Sequence, residues 1–190
     1  MTATRLLLLG PPGAGKGTQA QLLVDRLGVP QISTGDMLRA AVAAGSDLGR
    51  RAEALMARGE LVSDDVVIGV GEERLAEDDA QTGFVLDGFP RTAGQAEALD
   101  ALLDRSGRRL ERCIALLVDE DVLVDRLLKR AAIEGRSDDN EETIRKRMDV
   151  YRAQTEPLVA HYRERGVLRE VDGMGAIPEV AARIQGALEG

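Results

Sequence analysis

The chain has 190 residues, enough for one domain with a full core, and 44% apolar content suits a globular fold. A formal net charge of -8 excludes the broad basic surface that nucleic-acid backbones require, and no apolar run approaches the roughly 18 residues of a membrane span. One cysteine, Cys113, rules out an internal disulfide and a four-thiolate zinc cluster, so a cytoplasmic protein without zinc, nucleic-acid partner or membrane partner is expected.

Taken in order, short apolar runs alternate with amphipathic segments. Strands are predicted at 6–9, 31–32, 84–86, 114–118 and 167–171. Helices are predicted at 17–27, 35–44, 48–58, 64–77, 93–105, 121–130, 141–165 and 177–188. This alternation predicts an α/β fold, a parallel sheet with helices on both faces. Ligands of such sheets collect at the carboxyl ends of the strands, so residues that follow a strand carry the chemistry. Two helices rather than one follow the second strand, which predicts a small module standing off the sheet.

Gly10-Pro11-Pro12-Gly13-Ala14-Gly15-Lys16-Gly17-Thr18 follows the first strand and leads into the first helix. A turn of this composition alone joins many strands to helices. With a lysine after the last spaced glycine and both flanks in place, it predicts a phosphate cradle. Backbone N–H groups wrap the phosphates, the helix N-terminus adds its positive end, and Lys16 adds a mobile charge. The usual hydroxyl after the lysine is replaced by Gly17 and arrives at Thr18.

Ser33 or Thr34 is expected to cap the helix that carries Arg39. The strand Phe84-Val85-Leu86-Asp87 ends in a carboxylate placed to orient Mg²⁺ and its waters, and Gly88-Phe89-Pro90-Arg91 presents an arginine on a stiff turn. A third cluster holds Arg126, Arg130, Arg136, Arg145 and Arg147. Nearby Asp138, Asp139, Glu141 and Glu142 leave surface ion pairs open as its explanation. His161, Cys113, Tyr151 and Tyr162 are expected to serve packing or surface.

No histidine or additional carboxylate stands where a base would take a hydroxyl proton. Transfer to another phosphate needs no such base, because that oxygen is already ionised. The chemistry then reduces to aligning two polyanions and spreading charge over Arg, Lys and Mg²⁺. Segments near 33–62 and 129–139 are candidates for closing over the site.

These motifs, together with Gln19, Ser33-Thr34-Gly35-Asp36-Met37-Leu38-Arg39, Gln95, Arg136-Ser137-Asp138-Asp139-Asn140 and Val171-Asp172-Gly173, resemble the adenylate kinase family from end to end. The resemblance implies a P-loop NTPase fold with a five-stranded parallel sheet in one domain over 1–190. It also implies a nucleoside-monophosphate-binding insertion at 33–62 and a short lid at 129–139. Reversible transfer from MgATP to AMP, giving two ADP, is the implied reaction of a monomer. ATP would lie on Gly13, Ala14, Gly15, Lys16, Gly17 and Thr18, with Arg126, Arg130 and a carbonyl near Gly175. AMP would lie on Thr34, Arg39, Glu60, Leu61, Val62, Gly88, Phe89, Pro90, Arg91 and Gln95, with Arg136 and Arg147 closing over the transferring phosphate. The implied catalytic set is Lys16, Arg91, Arg130, Arg136 and Arg147, with Asp87 holding Mg²⁺ through water. The span from Arg130 to Asp138 is too short for a cysteine-bearing lid. A UMP/CMP kinase would typically carry Ala at Thr34 and Asn at Gln95. A non-catalytic nucleotide-binding regulator would have lost Lys16, Arg91 or Asp87, and all three are present.

Overall fold

The computed structural model describes residues 3–136 and 139–189. Strand β1 (Arg5–Leu9) is buried from Leu6 to Leu9, which a strand covered on both faces requires. Around it, β2 (Gln31–Ser33), β3 (Phe84–Asp87), β4 (Arg112–Leu117) and β5 (Leu168–Asp172) pair in parallel in the order β2-β3-β1-β4-β5.

The pleat divides the strand residues between two cores. Leu7, Ile32, Leu86 and Cys113 face one side, where α4 (Asp64–Ala76), α5 (Ala93–Arg105) and α8 (Leu158–Glu164) supply Leu75, Leu99 and Tyr162. Leu6, Leu8, Val85 and Ile114 face the other, where α1 (Lys16–Leu27), α6 (Glu120–Glu134) and α9 (Ile177–Glu189) supply Leu23, Leu127 and Ile184. Fully burying such an aliphatic side chain contributes roughly 1.5–3 kcal/mol. The two aliphatic layers therefore dominate the stability of a chain with four aromatic residues.

Between β2 and α4 stands a helical hairpin, α2 (Thr34–Ala43) and α3 (Asp47–Ala57). Ser33 caps α2 by accepting from the Asp36 N–H, and Ser46 caps α3 by accepting from the Gly49 N–H at 3.0 Å. The hairpin closes tightly at Gly49, where a Cβ would lie 2.1 Å from the Ala41 carbonyl oxygen.

The helix expected over 141–165 is not continuous, and this corrects the sequence reading. Helix α7 (Glu141–Val150) is followed by a π-helical turn (Tyr151–Thr155), Pro157 and then α8. Pro157 has no N–H to continue the ladder, and the Glu156 N–H reaches back five residues to the Tyr151 carbonyl at 2.9 Å. The interruption lets the chain change sides: Ile144 and Met148 join one core, Leu158 and Tyr162 the other. Helix α6 also outruns its expected end, continuing to Glu134, where Gly135 stops it in a left-handed conformation. Half of the expected lid segment is therefore helical; Ser137 and Asp138 lie outside the described residues. Among the described residues no helix is long and apolar enough to cross a membrane.

Candidate active site

Four strand ends deliver the site residues to one edge of the sheet: the turns after β1, β2, β3 and β5. After β1, the loop reaches Gly15, the N-cap of α1, which has φ 92° and no side-chain cap. Gly13 has φ 83°, and a Cβ there would meet the Leu123 carbonyl oxygen and Leu127 Cγ at 3.0 Å. Glycine is thus required by conformation and by space. The uncapped N–H groups at the start of α1 are the donors an anion would use.

Lys16 folds back over this loop, donating to the Gly10 carbonyl at 2.8 Å and the Pro11 carbonyl at 3.1 Å. Burial lowers its pKa to about 8; Asp87 opposes the shift, while Arg91, Arg147 and Arg130 add to it. Lys16 therefore feels the positive charges of three arginines, two of which, Arg91 and Arg147, line the same cavity. Asp87, at the end of β3, accepts from Gln31 Nε2 at 3.2 Å, and its Oδ2 lies 3.5 Å from where a Gly17 Cβ would stand. Gly17 leaves this carboxylate uncrowded, and Thr18 is exposed.

One cavity is lined by Lys16, Thr34, Arg39, Glu60, Leu61, Val62, Gly88, Pro90, Arg91, Gln95 and Arg147. Phe89 is not among them; its ring is in the core against Gly71. The Gly88 carbonyl accepts from Thr34 Oγ1 and from Arg91 Nε, both at 2.9 Å. The Arg91 N–H donates to Gln95 Oε1 at 2.8 Å, and the Arg91 carbonyl accepts from Thr155 Oγ1 at 2.7 Å. Gln95 Nε2 donates to Asp64 Oδ1 at 2.8 Å, so both ends of this amide hold protein groups. Thr92, the cap of α5, donates to the same Asp64 carboxylate at 3.0 Å. Arg39 pairs with Asp36; burial alone would raise that carboxyl, but the guanidinium outweighs it and holds it below the ordinary value. Glu60 pairs with Arg58 at the rim.

At the other end, Asp139 is fully buried and grips two arginines. Arg130 donates to both of its oxygens at 2.6 and 2.7 Å, and Arg147 donates at 2.6 Å. Burial raises the Asp139 carboxyl, yet the hydrogen bonds and charge of Arg130, with Arg147 and Arg136, bring it below its usual range. Arg136 pairs with Glu134 at 2.6 Å. Arg126 reaches behind the loop, donating to the Gly173 carbonyl at 3.2 Å with Ala14 O at 3.5 Å. Gly175 lies in the turn after β5 and, like Arg126, Arg130 and Arg136, does not line the cavity.

Sequence reasoning passed over Asp64, Asp139, Tyr151 and Thr155. Asp64 opens a helix and looks like an ordinary acidic first turn, and Asp139 looks like one surface charge among four. Tyr151 and Thr155 are brought to the cavity by the π turn, whose only sequence sign is Pro157. Among the described residues no three His, Cys, Asp or Glu side chains converge as a metal site. Cys113 is buried, which pushes its thiol pKa up, and His161 pairs with Asp100 at 3.0 Å outside the cavity lining.

A sequence model of the adenylate kinase family matches residues 8–167. A protein named adenylate kinase from Thermobifida fusca is 53% identical over 185 residues, 97% of this chain and 98% of that one. One of the same name from Stenotrophomonas maltophilia is 52% identical over 186 residues, 98% of this chain and 100% of that one. Another, from Xanthomonas euvesicatoria, is 53% identical over 97% of this chain.

Proposed function

The chain belongs to the adenylate kinase family and transfers a phosphoryl group between ATP and AMP, and from that premise we propose how its residues divide the work. The loop Gly13–Thr18 holds the ATP phosphates, with Arg126 and a carbonyl near Gly175 toward the adenine. Thr34, Arg39, the turn Glu60–Val62, Gly88–Arg91 and Gln95 hold AMP. Phe89 acts there through its main chain and by packing. Lys16, Arg91, Arg130, Arg136 and Arg147 carry the charge of the phosphoryl group in flight. The observation that supports this reading most directly is the single cavity lined by Lys16, Arg91 and Arg147, beside an uncapped helix start.

A half-buried lysine whose pKa is lowered by desolvation and by neighbouring cations gains more from a polyphosphate than a solvated one would. That gain grows as charge shifts onto the transferring group, which is the condition for lowering a barrier rather than merely binding substrate. In the reaction the bond from the γ-phosphorus to the bridging oxygen of ATP breaks, and one forms to a phosphate oxygen of AMP. The acceptor oxygen is already ionised, so no proton has to be removed. Asp87 is a hard oxygen ligand of the kind Mg²⁺ takes, and one carboxylate suits an ion whose other ligands are phosphate oxygens and water. Asp87 would hold Mg²⁺ through water, and the ion would supply charge neutralisation to the phosphates. The segments 33–62 and 129–139 close over the nucleotides and exclude water. The protein acts as a cytoplasmic monomer and needs no zinc.

The site assignment is tested through the base. Thr34 and Gln95 should favour AMP over CMP and UMP by at least ~100-fold in kcat/KM, since a pyrimidine leaves polar groups poorly paired. Gln95→Ala should narrow that gap mainly by weakening AMP. An unaltered gap would remove Gln95 from the base site.

A further inference from the structure

We propose that Asp64 is a positioning residue that sets the orientation of the Gln95 amide and so decides which purine the acceptor site takes. This inference rests on the assignment of Gln95 to the base of the monophosphate.

The oxygen and nitrogen of a glutamine amide are nearly equal in size, so packing alone does not choose between the two orientations. Charge and hydrogen bonding choose here. At one end of the Gln95 amide stands a donor, the Arg91 N–H, 2.8 Å from Oε1. At the other stands a carboxylate, Asp64 Oδ1, 2.8 Å from Nε2. Turning the amide over would set Nε2 against an N–H and Oε1 against a carboxylate, replacing two attractions by two repulsions.

Asp64 is itself held in place. Thr92 Oγ1 lies 3.0 Å from both of its oxygens, and Thr92 is the cap of α5, the helix that carries Gln95. Asp64 also opens α4, whose N-terminal end favours a carboxylate. The starts of α4 and α5 approach so closely that a Cβ on Gly94 would lie 3.0 Å from Asp64 Oδ2.

The locked amide retains one hydrogen on Nε2 and one lone pair on Oε1, on a side chain that lines the cavity. They form a donor and an acceptor in a fixed order. A 6-aminopurine offers the matching edge, an exocyclic amino donor beside a ring acceptor. A 6-oxopurine offers the reverse, a carbonyl acceptor beside a ring N–H, and only a turned amide would pair with it. The carboxylate of Asp64 therefore works against the oxopurine without touching it, which is selectivity by exclusion.

The test compares AMP with IMP as acceptors at fixed MgATP, in the unmutated protein, Asp64→Ala and Gln95→Ala. Both substrates are measured on the same preparation, so the AMP:IMP ratio of kcat/KM does not depend on the fraction folded. With Asp64→Ala the ratio should fall about tenfold, with KM for ATP within about twofold of the unmutated value. Should that variant not fold, Asp64→Ser carries the same expectation, since serine suits a helix start but is too short to reach the amide. A ratio unchanged by loss of Asp64, where Gln95→Ala collapses it, overturns the proposal and leaves the base site standing. A ratio unchanged by Gln95→Ala overturns the base assignment and this inference with it.

Discussion

The main chain of Arg91, and the guanidiniums of Arg130 and Arg147, are held in different ways. Three of the contacts of Arg91 are with neutral groups: its N–H with the Gln95 amide, its carbonyl with the Thr155 hydroxyl, and its Nε with the Gly88 carbonyl. None of these resembles a phosphate, so an incoming anion leaves them in place. Arg130 and Arg147 are gripped by the Asp139 carboxylate, an oxyanion that a phosphate can replace. The first arrangement is preorganised and loses little on binding. Under the proposed assignment, the second stores two guanidiniums in a paired state until phosphate takes over from the carboxylate.

Lys16 belongs to both regions, since arginines from each depress its pKa, and its loss gives the largest effect. Lys16→Met should lower kcat at least ~100-fold with the fold retained, by circular dichroism and thermal melting. Turnover within a few-fold of the unmutated protein would dissolve the charge convergence on which the comparison rests.

The rigid side is sharpened through Thr155. Thr155→Val keeps shape and removes the hydroxyl, leaving the Arg91 carbonyl without that donor at a cost of roughly 1–2 kcal/mol. The expected result is a rise of about tenfold in KM for AMP with KM for ATP nearly unchanged, and Thr155→Ser should restore it. Equal rises in both constants would show that Thr155 supports the fold generally.

A comparable loss is expected with pH. A lysine with a pKa near 8 is charged below that pH and loses its charge above it. In the free enzyme, kcat/KM for ATP should therefore fall above about pH 8, approaching tenfold per pH unit. Bound phosphates favour the charged form, so the matching limb of kcat should lie at higher pH. Coincident limbs would mean that Lys16 is not the titrating group.

On the exchangeable side the effect on rate is smaller. Asp139 is fully buried while the side chains of Arg130 and Arg147 are 25% and 15% exposed, so the arginines can turn to water once released. Asp139→Asn should cost roughly 1–3 kcal/mol in urea unfolding and change kcat less than about fivefold. A collapse of kcat with unchanged stability would instead assign Asp139 to the reacting groups. The smallest effect concerns metal. A strong chelator should abolish turnover by removing Mg²⁺ from ATP yet leave Tm within about 1 °C, whereas a drop of several degrees would reveal a structural ion.

Much of the molecule is legible in one dimension, because strands, helix starts and phosphate loops are made by neighbours in the chain. The aliphatic runs of β1 and β3 specify buried parallel strands. Gly13, Gly15 and Lys16 specify the cradle by their spacing, and Ser33 announces its helix. What stayed hidden depends on partners far apart in sequence. The break between α7 and α8 is marked by Pro157, but its purpose, moving the chain from one face of the sheet to the other, exists only once two cores have formed. Thr155 reaches Arg91 across 64 positions, and Asp64 reaches Gln95 across 31. Asp139 differs from the acidic residues around it in being buried between two arginines, and burial belongs to the assembled fold. Local sequence thus determined the loop and the side chains proposed to meet the phosphates. Tertiary structure decided which groups hold those residues still, because that hold is made by side chains that only folding brings within hydrogen-bonding distance.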